Sequence, residues 1–195
     1  DYGIGNLLNV VRAFEHCGAT VSIAEDAAAI EAAERLVLPG VGAFADGMAG
    51  LAVRGLNESI RAFAAADRPF LGICLGMQMM FDTSEEFGSH DGLGLIPGRV
   101  IAIPPHGTDG QPHKVPHIGW SELQAPVEHR MDFSDSPLAQ LPPGTAMYFV
   151  HSYTAVPTDP AHRLAEAWYG GQRIAAAVKR GNVYGCQFHP EKSAE

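Results

Sequence analysis

Pro69-Phe70-Leu71-Gly72-Ile73-Cys74-Leu75-Gly76-Met77-Gln78 carries an apolar run straight into a cysteine flanked on each side, two residues away, by glycine. The run 69–73 reads as a buried strand, and the residues from Leu75 to Asp82 have helix-forming character. A strand feeding a helix through Gly-x-Cys-x-Gly is the pattern of a nucleophile elbow. In such a turn the glycines leave room around a strained residue whose side chain is aimed at a cleft. The start of a helix also favours a thiolate, because its unsatisfied N–H groups and dipole stabilise an anion. The alternative is a structural cysteine buried at a strand end.

Working outward, Asn6 to Cys17 places Leu7, Val10, Val11, Phe14 and Cys17 at helical spacing and stops at Gly18. Val21 to Ala24 reads as a short strand, Asp26 to Glu34 as a helix, and Leu36 to Leu38 as a buried strand ended by Pro39-Gly40. Met48 to Ala66 reads as one further helical stretch. This alternation predicts a doubly wound α/β unit with a mostly parallel sheet flanked by helices. Beyond residue 92 the texture changes. The segments 92–98, 100–103, 117–123, 146–153, 164–169, 174–178 and 183–188 read as short strands with few helices between, which predicts a second, mainly antiparallel sheet. Pro104 to Gln111 reads as an exposed hairpin tip. No internal repeat or long polar linker interrupts the 195 residues, so one domain over 1–195 is expected. The turn-like opening Asp1-Tyr2-Gly3 and the cap-like close at Ser193 predict a chain trimmed at both ends.

Composition narrows the partners. With 46% hydrophobic and 18% charged residues the chain can bury a full core. Thirteen Lys and Arg against 22 Asp and Glu give a formal charge of -9 without a basic patch, which argues against nucleic acid. Apolar runs such as 36–38 and 175–178 are far shorter than the roughly 20 residues that span a bilayer. Three cysteines without a CxxC point to a reducing compartment, the cytoplasm. Cys17, on a helix face, and Cys186, within a strand, are both expected in the core.

A cysteine nucleophile needs a base. Among nine histidines, His189 ends the apolar strand 183–188 and is followed by Pro190-Glu191. Pro190 is expected to hold the pair extended, so that the Glu191 carboxylate orients and stabilises an imidazolium at His189. A bare surface turn is the other reading of His-Pro-Glu. The Leu75 N–H is one candidate oxyanion donor, and the loop Pro39-Gly40-Val41-Gly42 is placed to supply a second, or is an ordinary glycine turn. His113 and His117 are four apart, but Pro112 and Pro116 disfavour a shared helix face, and no metal site is expected. Gly3-Ile4-Gly5 lacks the remainder of a phosphate-binding loop.

Six blocks in order resemble the class I glutamine amidotransferases. They are Asp1-Tyr2-Gly3-Ile4-Gly5-Asn6, Pro39-Gly40-Val41-Gly42-Ala43-Phe44, Gly72-Ile73-Cys74-Leu75-Gly76-Met77-Gln78, Lys114-Val115-Pro116-His117-Ile118-Gly119-Trp120, Tyr148-Phe149-Val150-His151-Ser152-Tyr153 and Gln187-Phe188-His189-Pro190-Glu191-Lys192. Gly76-Met77-Gln78 is similar to the branch whose members serve histidine biosynthesis. The resemblance implies that a Cys74, His189, Glu191 triad hydrolyses glutamine to glutamate and ammonia, without a cofactor. It also implies that Leu75 and the Gly40-Val41 peptide form the oxyanion hole, and that Gly42, Gln78, Glu86, His151, Ser152 and Tyr153 hold glutamine. Asn6, Asn9, Tyr148 and Lys192 would face the partner, a cyclase subunit with a (β/α)8 barrel that completes a heterodimer and receives the ammonia. Left open are a glutaminase subunit of another pathway such as pyridoxal phosphate synthesis, a partner-independent γ-glutamyl thiol hydrolase, and a binding module without activity.

Overall fold

The computed structural model describes residues 1–3, 7–126, 133–134 and 136–193. In chain order these form α1 (Leu7–His16), α2 (Ala27–Ala32), β1 (Leu36–Gly40), α3 (Phe44–Val53), α4 (Asn57–Ala65), β2 (Phe70–Cys74) and α5 (Leu75–Met79). Then come β3 (Phe81–Ser84), β4 (His90–Asp91), β5 (Ile96–Ala102), β6 (His117–Glu122), β7 (Ala146–His151), β8 (Tyr153–Pro157), β9 (Arg163–Tyr169), β10 (Gln172–Arg180) and β11 (Val183–Cys186).

The apolar strand β2 lies inside a five-stranded sheet of order β1-β2-β11-β10-β9. β1 and β11 flank it in parallel, as a strand buried on both faces requires, while β10 and β9 continue antiparallel. The expected α/β sheet with a second, mainly antiparallel one is present, but the segments 164–169, 174–178 and 183–188 join the central sheet as β9, β10 and β11 rather than the second. A four-stranded sheet, β4-β3-β5-β8, and the two-stranded hairpin β6-β7 build the rest. Two apolar clusters fill the interior. One gathers Ile30, Phe44, Leu51, Ile60, Phe63 and Phe70 with the methionines and Phe81 that follow the elbow. The other joins Val10, Ile73 and Cys74 to Leu123, Phe149 and Phe188. The segment expected as a hairpin tip closes on itself, with Gly107 N donating to the Gln111 carbonyl at 2.8 Å.

Several local expectations are corrected. Val21 to Ala24 is not a strand, since no described strand lies beside it to complete a ladder, and the Ala24 carbonyl accepts the amino group of Asp1 instead. The stretch 48–66 is two helices, α3 and α4. Gly55, at φ 66°, ends the first with a paired motif in which its N–H bonds the Ala52 carbonyl and the Leu56 N–H bonds that of Leu51. Leu56 and Leu51 are both buried at that stop. The helix expected over 75–82 ends at Met79, because the carbonyls of Met79, Met80 and Phe81 accept N–H groups from Leu93, Leu95 and Gly94 rather than from the next helical turn. The same bonds keep 92–95 out of a ladder, so the strand begins at Ile96. Cys17 is exposed, as α1 buries only Val10 and ends one residue before it, whereas Cys186 is buried as expected.

Candidate active site

The site forms where the carboxyl ends of β1, β2 and β11 meet. Cys74 closes β2 with φ 54° and ψ -112°, a conformation that L-residues rarely adopt and that lifts the thiol off the strand. Glycine makes the turn possible. A Cβ on Gly76 would meet the Leu38 carbonyl oxygen at 1.7 Å, and one on Gly72 would meet Gly76 backbone at 2.8 Å. The parallel register sets Gly40 directly opposite Cys74 on the β1 side, so the loop 39–42 borders the nucleophile as the sequence predicts. Tyr2 fastens the end of β1, its buried hydroxyl donating to the Pro39 carbonyl at 2.7 Å. Burial, with the charge of Cys74, pushes the Tyr2 hydroxyl well above the usual tyrosine range and keeps it a donor.

On the other side of β2 the chain runs past Cys186 to His189. Its main chain is clasped by β7 and the following turn: His189 N donates to the Tyr148 carbonyl at 2.9 Å, and Ser193 Oγ donates to the His189 carbonyl at 2.8 Å. Glu191 returns beneath the ring, with Nδ1 and Oε1 2.8 Å apart and both side chains 4% exposed. The means differ from expectation, for Pro190 opens a turn of 3-10 helix rather than an extended pair, and it is this turn that folds the carboxylate back. Burial alone would lower the His189 pKa. The neighbouring Cys74 sulfur and the Glu191 carboxylate that accepts from Nδ1, both favouring the charged ring, outweigh it and raise the value from 6.5 to about 9. Glu191 is held below the ordinary glutamate range. Burial pushes its pKa up, but the bond and charge of His189 more than offset that. The ring's other nitrogen, Nε2, is buried without a hydrogen-bond partner among the described residues. Val10, Pro39, Gly40, Val41 and Lys192 join His189 and Glu191 around a small cleft.

Of the expected glutamine-holding residues, Gln78, His151 and Tyr153 are tied to one another and, through Gln187, to Cys74. Gln78 is buried, its Nε2 donating to the Tyr153 carbonyl at 3.2 Å and to Gln187 Oε1 at 2.9 Å. Glu86 Oε2 accepts the Phe44 N–H at 2.6 Å, closing the start of α3 just after Gly42. Buried His151 directs Nδ1 to the Tyr153 carbonyl, 2.7 Å away, and Nε2 toward His117 Nδ1 at 3.1 Å. Burial, reinforced by neighbouring histidines, lowers His117 to about 4 and His151 to about 3, although the Tyr153 bond opposes the shift in His151. Both therefore stay neutral at pH 7 and act as hydrogen-bonding struts rather than charges. Of the residues expected at a partner surface, Asn6 lies outside the described residues. Tyr148 pairs edge to face with exposed Trp120 and lies under Lys192 Nζ, 5.7 Å from the ring centroid. Asn9 is exposed on α1.

Tyr2, His117 and Gln187 carry contacts here that their sequence blocks alone did not signal. Gln187 is fully buried, and its Nε2 donates to Cys74 Sγ at 3.7 Å. The signal available was register. Val183 aligns with Phe70 and Cys186 with Ile73, so the next residue falls beside Cys74.

A cysteine at an elbow, an imidazole held by a carboxylate and a glycine loop opposite the thiol define an acyl-transfer site of the kind used by thiol amidohydrolases. The family model for class-I glutamine amidotransferase matches residues 1–195, and the chain belongs to that family. Within it the chain belongs with the HisH proteins. It is 54% identical over 195 residues to imidazole glycerol phosphate synthase subunit HisH 1 of Legionella pneumophila (strain Lens), covering 100% of this chain and 91% of that one. It is 46% identical over 200 residues to subunit HisH of Syntrophotalea carbinolica, covering 100% and 92%. A solved glutamine amidotransferase shares the fold at 15% identity, with a TM-score of 0.71 over 98% of this chain and 89% of that one.

Proposed function

We propose that the chain, as a single domain over residues 1–195, hydrolyses glutamine through Cys74, His189 and Glu191 and delivers the ammonia to a separate cyclase subunit. The observation that carries this reading is the buried His189–Glu191 pair beside a cysteine held at positive φ. His189 takes the thiol proton at Nε2, and the sulfur adds to the side-chain carboxamide carbon of glutamine. The oxyanion that forms is met by the Leu75 N–H and by the Gly40-Val41 peptide after a reorientation that the partner triggers. As the carbon–nitrogen bond breaks, the imidazolium gives its proton to the departing ammonia and a thioester remains. His189 then removes a proton from water, which attacks the thioester and releases glutamate and the free thiol. Gly42, Gln78, Glu86, His151, Ser152 and Tyr153 hold the amino-acid end of the substrate.

The partner is a cyclase with a (β/α)8 barrel that makes imidazole glycerol phosphate and aminoimidazole carboxamide ribotide in histidine biosynthesis, the two forming a heterodimer. Three features support a docking face around the turn 190–192: Trp120 and Ile118 project from one side of β6 at 54% and 57% exposure, Tyr148 meets Trp120 edge to face, and Lys192 borders both the face and the catalytic cleft. Ammonia released there reaches the barrel without entering bulk water, where it would be protonated and lose its nucleophilic lone pair. The cytoplasm is the compartment this role implies; among the described residues no helix is long and apolar enough to cross a membrane. The test is ammonia release from glutamine by the chain alone and with the purified cyclase barrel carrying its nucleotide. A strong rise on adding the loaded barrel is expected. Equal rates with and without it would remove the partner from the reading.

A further inference from the structure

We propose that Gln187 is a further catalytic residue, whose side-chain amide, aligned by Gln78, donates an N–H to the Cys74 sulfur and stabilises the thiolate. The inference rests on the glutaminase reading above and adds to it a donor beyond the triad and the oxyanion loop.

The direction of the amides follows from one fixed point. The Tyr153 carbonyl can only accept, so the Gln78 group facing it at 3.2 Å is the NH2. That same nitrogen lies 2.9 Å from Gln187, which must therefore present its oxygen. With Oε1 committed to Gln78, the other end of the Gln187 amide is the NH2, and it lies 3.7 Å from Cys74 Sγ. A backbone carbonyl thus sets the polarity of a two-amide relay that ends with a donor on the nucleophile. The Gln187 main chain is fixed as well, its N–H donating to the Ala176 carbonyl at 2.9 Å.

The placement suits a sulfur that must carry negative charge. Gln187 is fully buried, so its dipole acts where water does not screen it. Continuing the register of β2 and β11, it flanks Cys74 on the side away from Gly40, which leaves the β1 side for the oxyanion. The helix that begins at Leu75 has only five residues, and a side-chain donor supplements what its amino end provides. When the thiol proton moves to His189 Nε2, no bond to Gln187 forms or breaks. Its N–H strengthens its hydrogen bond to the new thiolate, and it relaxes as the sulfur becomes neutral in the thioester.

The experiment is the pH dependence of Cys74 alkylation by iodoacetamide in the full chain, read on the Cys74 peptide by mass spectrometry with exposed Cys17 as the internal reference. Gln187→Met keeps the side-chain length and removes the donor. It should move the midpoint of the profile up by about one pH unit, a tenfold loss of thiolate below the midpoint, and lower kcat with the cyclase while KM changes little. Gln78→Met frees the relay from its anchor and should move the midpoint in the same direction by less. Gln187→Asn retains a buried amide but withdraws it by one methylene, and it reads the same shift if the methionine variant fails to fold. A folded variant, matched to the parent in thermal unfolding, whose profile superimposes on the parent's would overturn the proposal. A parent chain that releases no ammonia from glutamine even with the loaded cyclase would instead overturn the glutaminase reading itself.

Discussion

Replacing Glu191 with glutamine removes one charge and leaves almost every atom in place, which makes it the sharpest probe of the triad. The carboxylate accepts from His189 Nδ1 at 2.8 Å with both side chains nearly shut from solvent. The rise of the His189 pKa from 6.5 to about 9 corresponds to roughly 3 kcal/mol in favour of the imidazolium, shared between Cys74 and Glu191 and already net of the burial that opposes it. If Glu191 supplies about half, the variant loses on the order of 1 to 2 kcal/mol of imidazolium stabilisation, and the rate of glutamine hydrolysis falls roughly 5- to 30-fold. His189→Asn, which removes the base itself, costs more. The pH dependence moves with it. Steps that need the protonated ring fail as pH rises through its pKa, so the alkaline limb of the profile moves from near pH 9 toward neutrality in Glu191→Gln. Stability has a matching signature. His189, with its pKa raised on folding, stabilises the fold fully below pH 6.5 and ceases to do so above about 9. Glu191, with its pKa lowered, contributes above 4.5 and loses that contribution in acid. The gap in unfolding free energy between parent and variant is therefore widest between pH 4.5 and 6.5 and closes on both sides. Coupled detection of ammonia with saturating cyclase, together with denaturant unfolding across that range, measures both effects. A variant as slow as His189→Asn, or an alkaline limb unmoved from pH 9, refutes the role given to Glu191.

Cys74→Ala should abolish glutamine hydrolysis while the complex still cyclises its nucleotide when fed ammonium, since only the nucleophile is lost; loss of both activities would count against separate sites. Gly76→Ala places a Cβ 1.7 Å from the Leu38 carbonyl oxygen, so the elbow must open. A cost of about 3 kcal/mol, a fall of roughly 10 °C in Tm, is expected, and an unchanged melt would show that the turn has slack. Trp120→Ala, at an exposed ring, should leave the melt unchanged but weaken cyclase binding by about 2 kcal/mol, roughly 30-fold in Kd; calorimetry giving the parent Kd would move the interface off β6.

The parts of the site that were legible in the sequence are those whose chemistry is local. Gly72-Ile73-Cys74-Leu75-Gly76 encodes its own turn, and His189-Pro190-Glu191 holds imidazole and carboxylate two residues apart, so neither needs distant chain to be recognised. What escaped was decided by neighbours. The run 21–24 has a strand's composition, yet a strand exists only beside a partner. The stretch 48–66 keeps its helical pattern through Gly55, but that glycine's left-handed conformation and the burial of Leu56 make a stop of what composition alone leaves continuous. After the elbow, Met80 and Phe81 could have extended the helix on propensity; their carbonyls are claimed by residues 94–96, a tertiary choice. Tyr2, His117 and Gln187 act through carbonyls, imidazoles and a sulfur 30 or more positions away, and no local pattern announces such contacts.

The direction of the strands explains why residues so far apart in the chain can share one reaction. β1, β2 and β11 run parallel, so their carboxyl ends lie at the same edge of the sheet, where open α/β sheets gather their ligands. Had β11 paired antiparallel with β2, its start rather than its end would lie beside Cys74, and His189 would emerge at the opposite edge. The two antiparallel strands β10 and β9 are confined to the side beyond β11, where they return the chain without disturbing that edge. Parallel pairing also fixes what stands on either flank of the thiol: Gly40 by register on one side, and on the other the amide of Gln187, followed two residues later by His189. On the proposed reading Cys74 therefore meets the Gly40-Val41 peptide and His189 from opposite sides, with His189 clasped to β7 through its main chain.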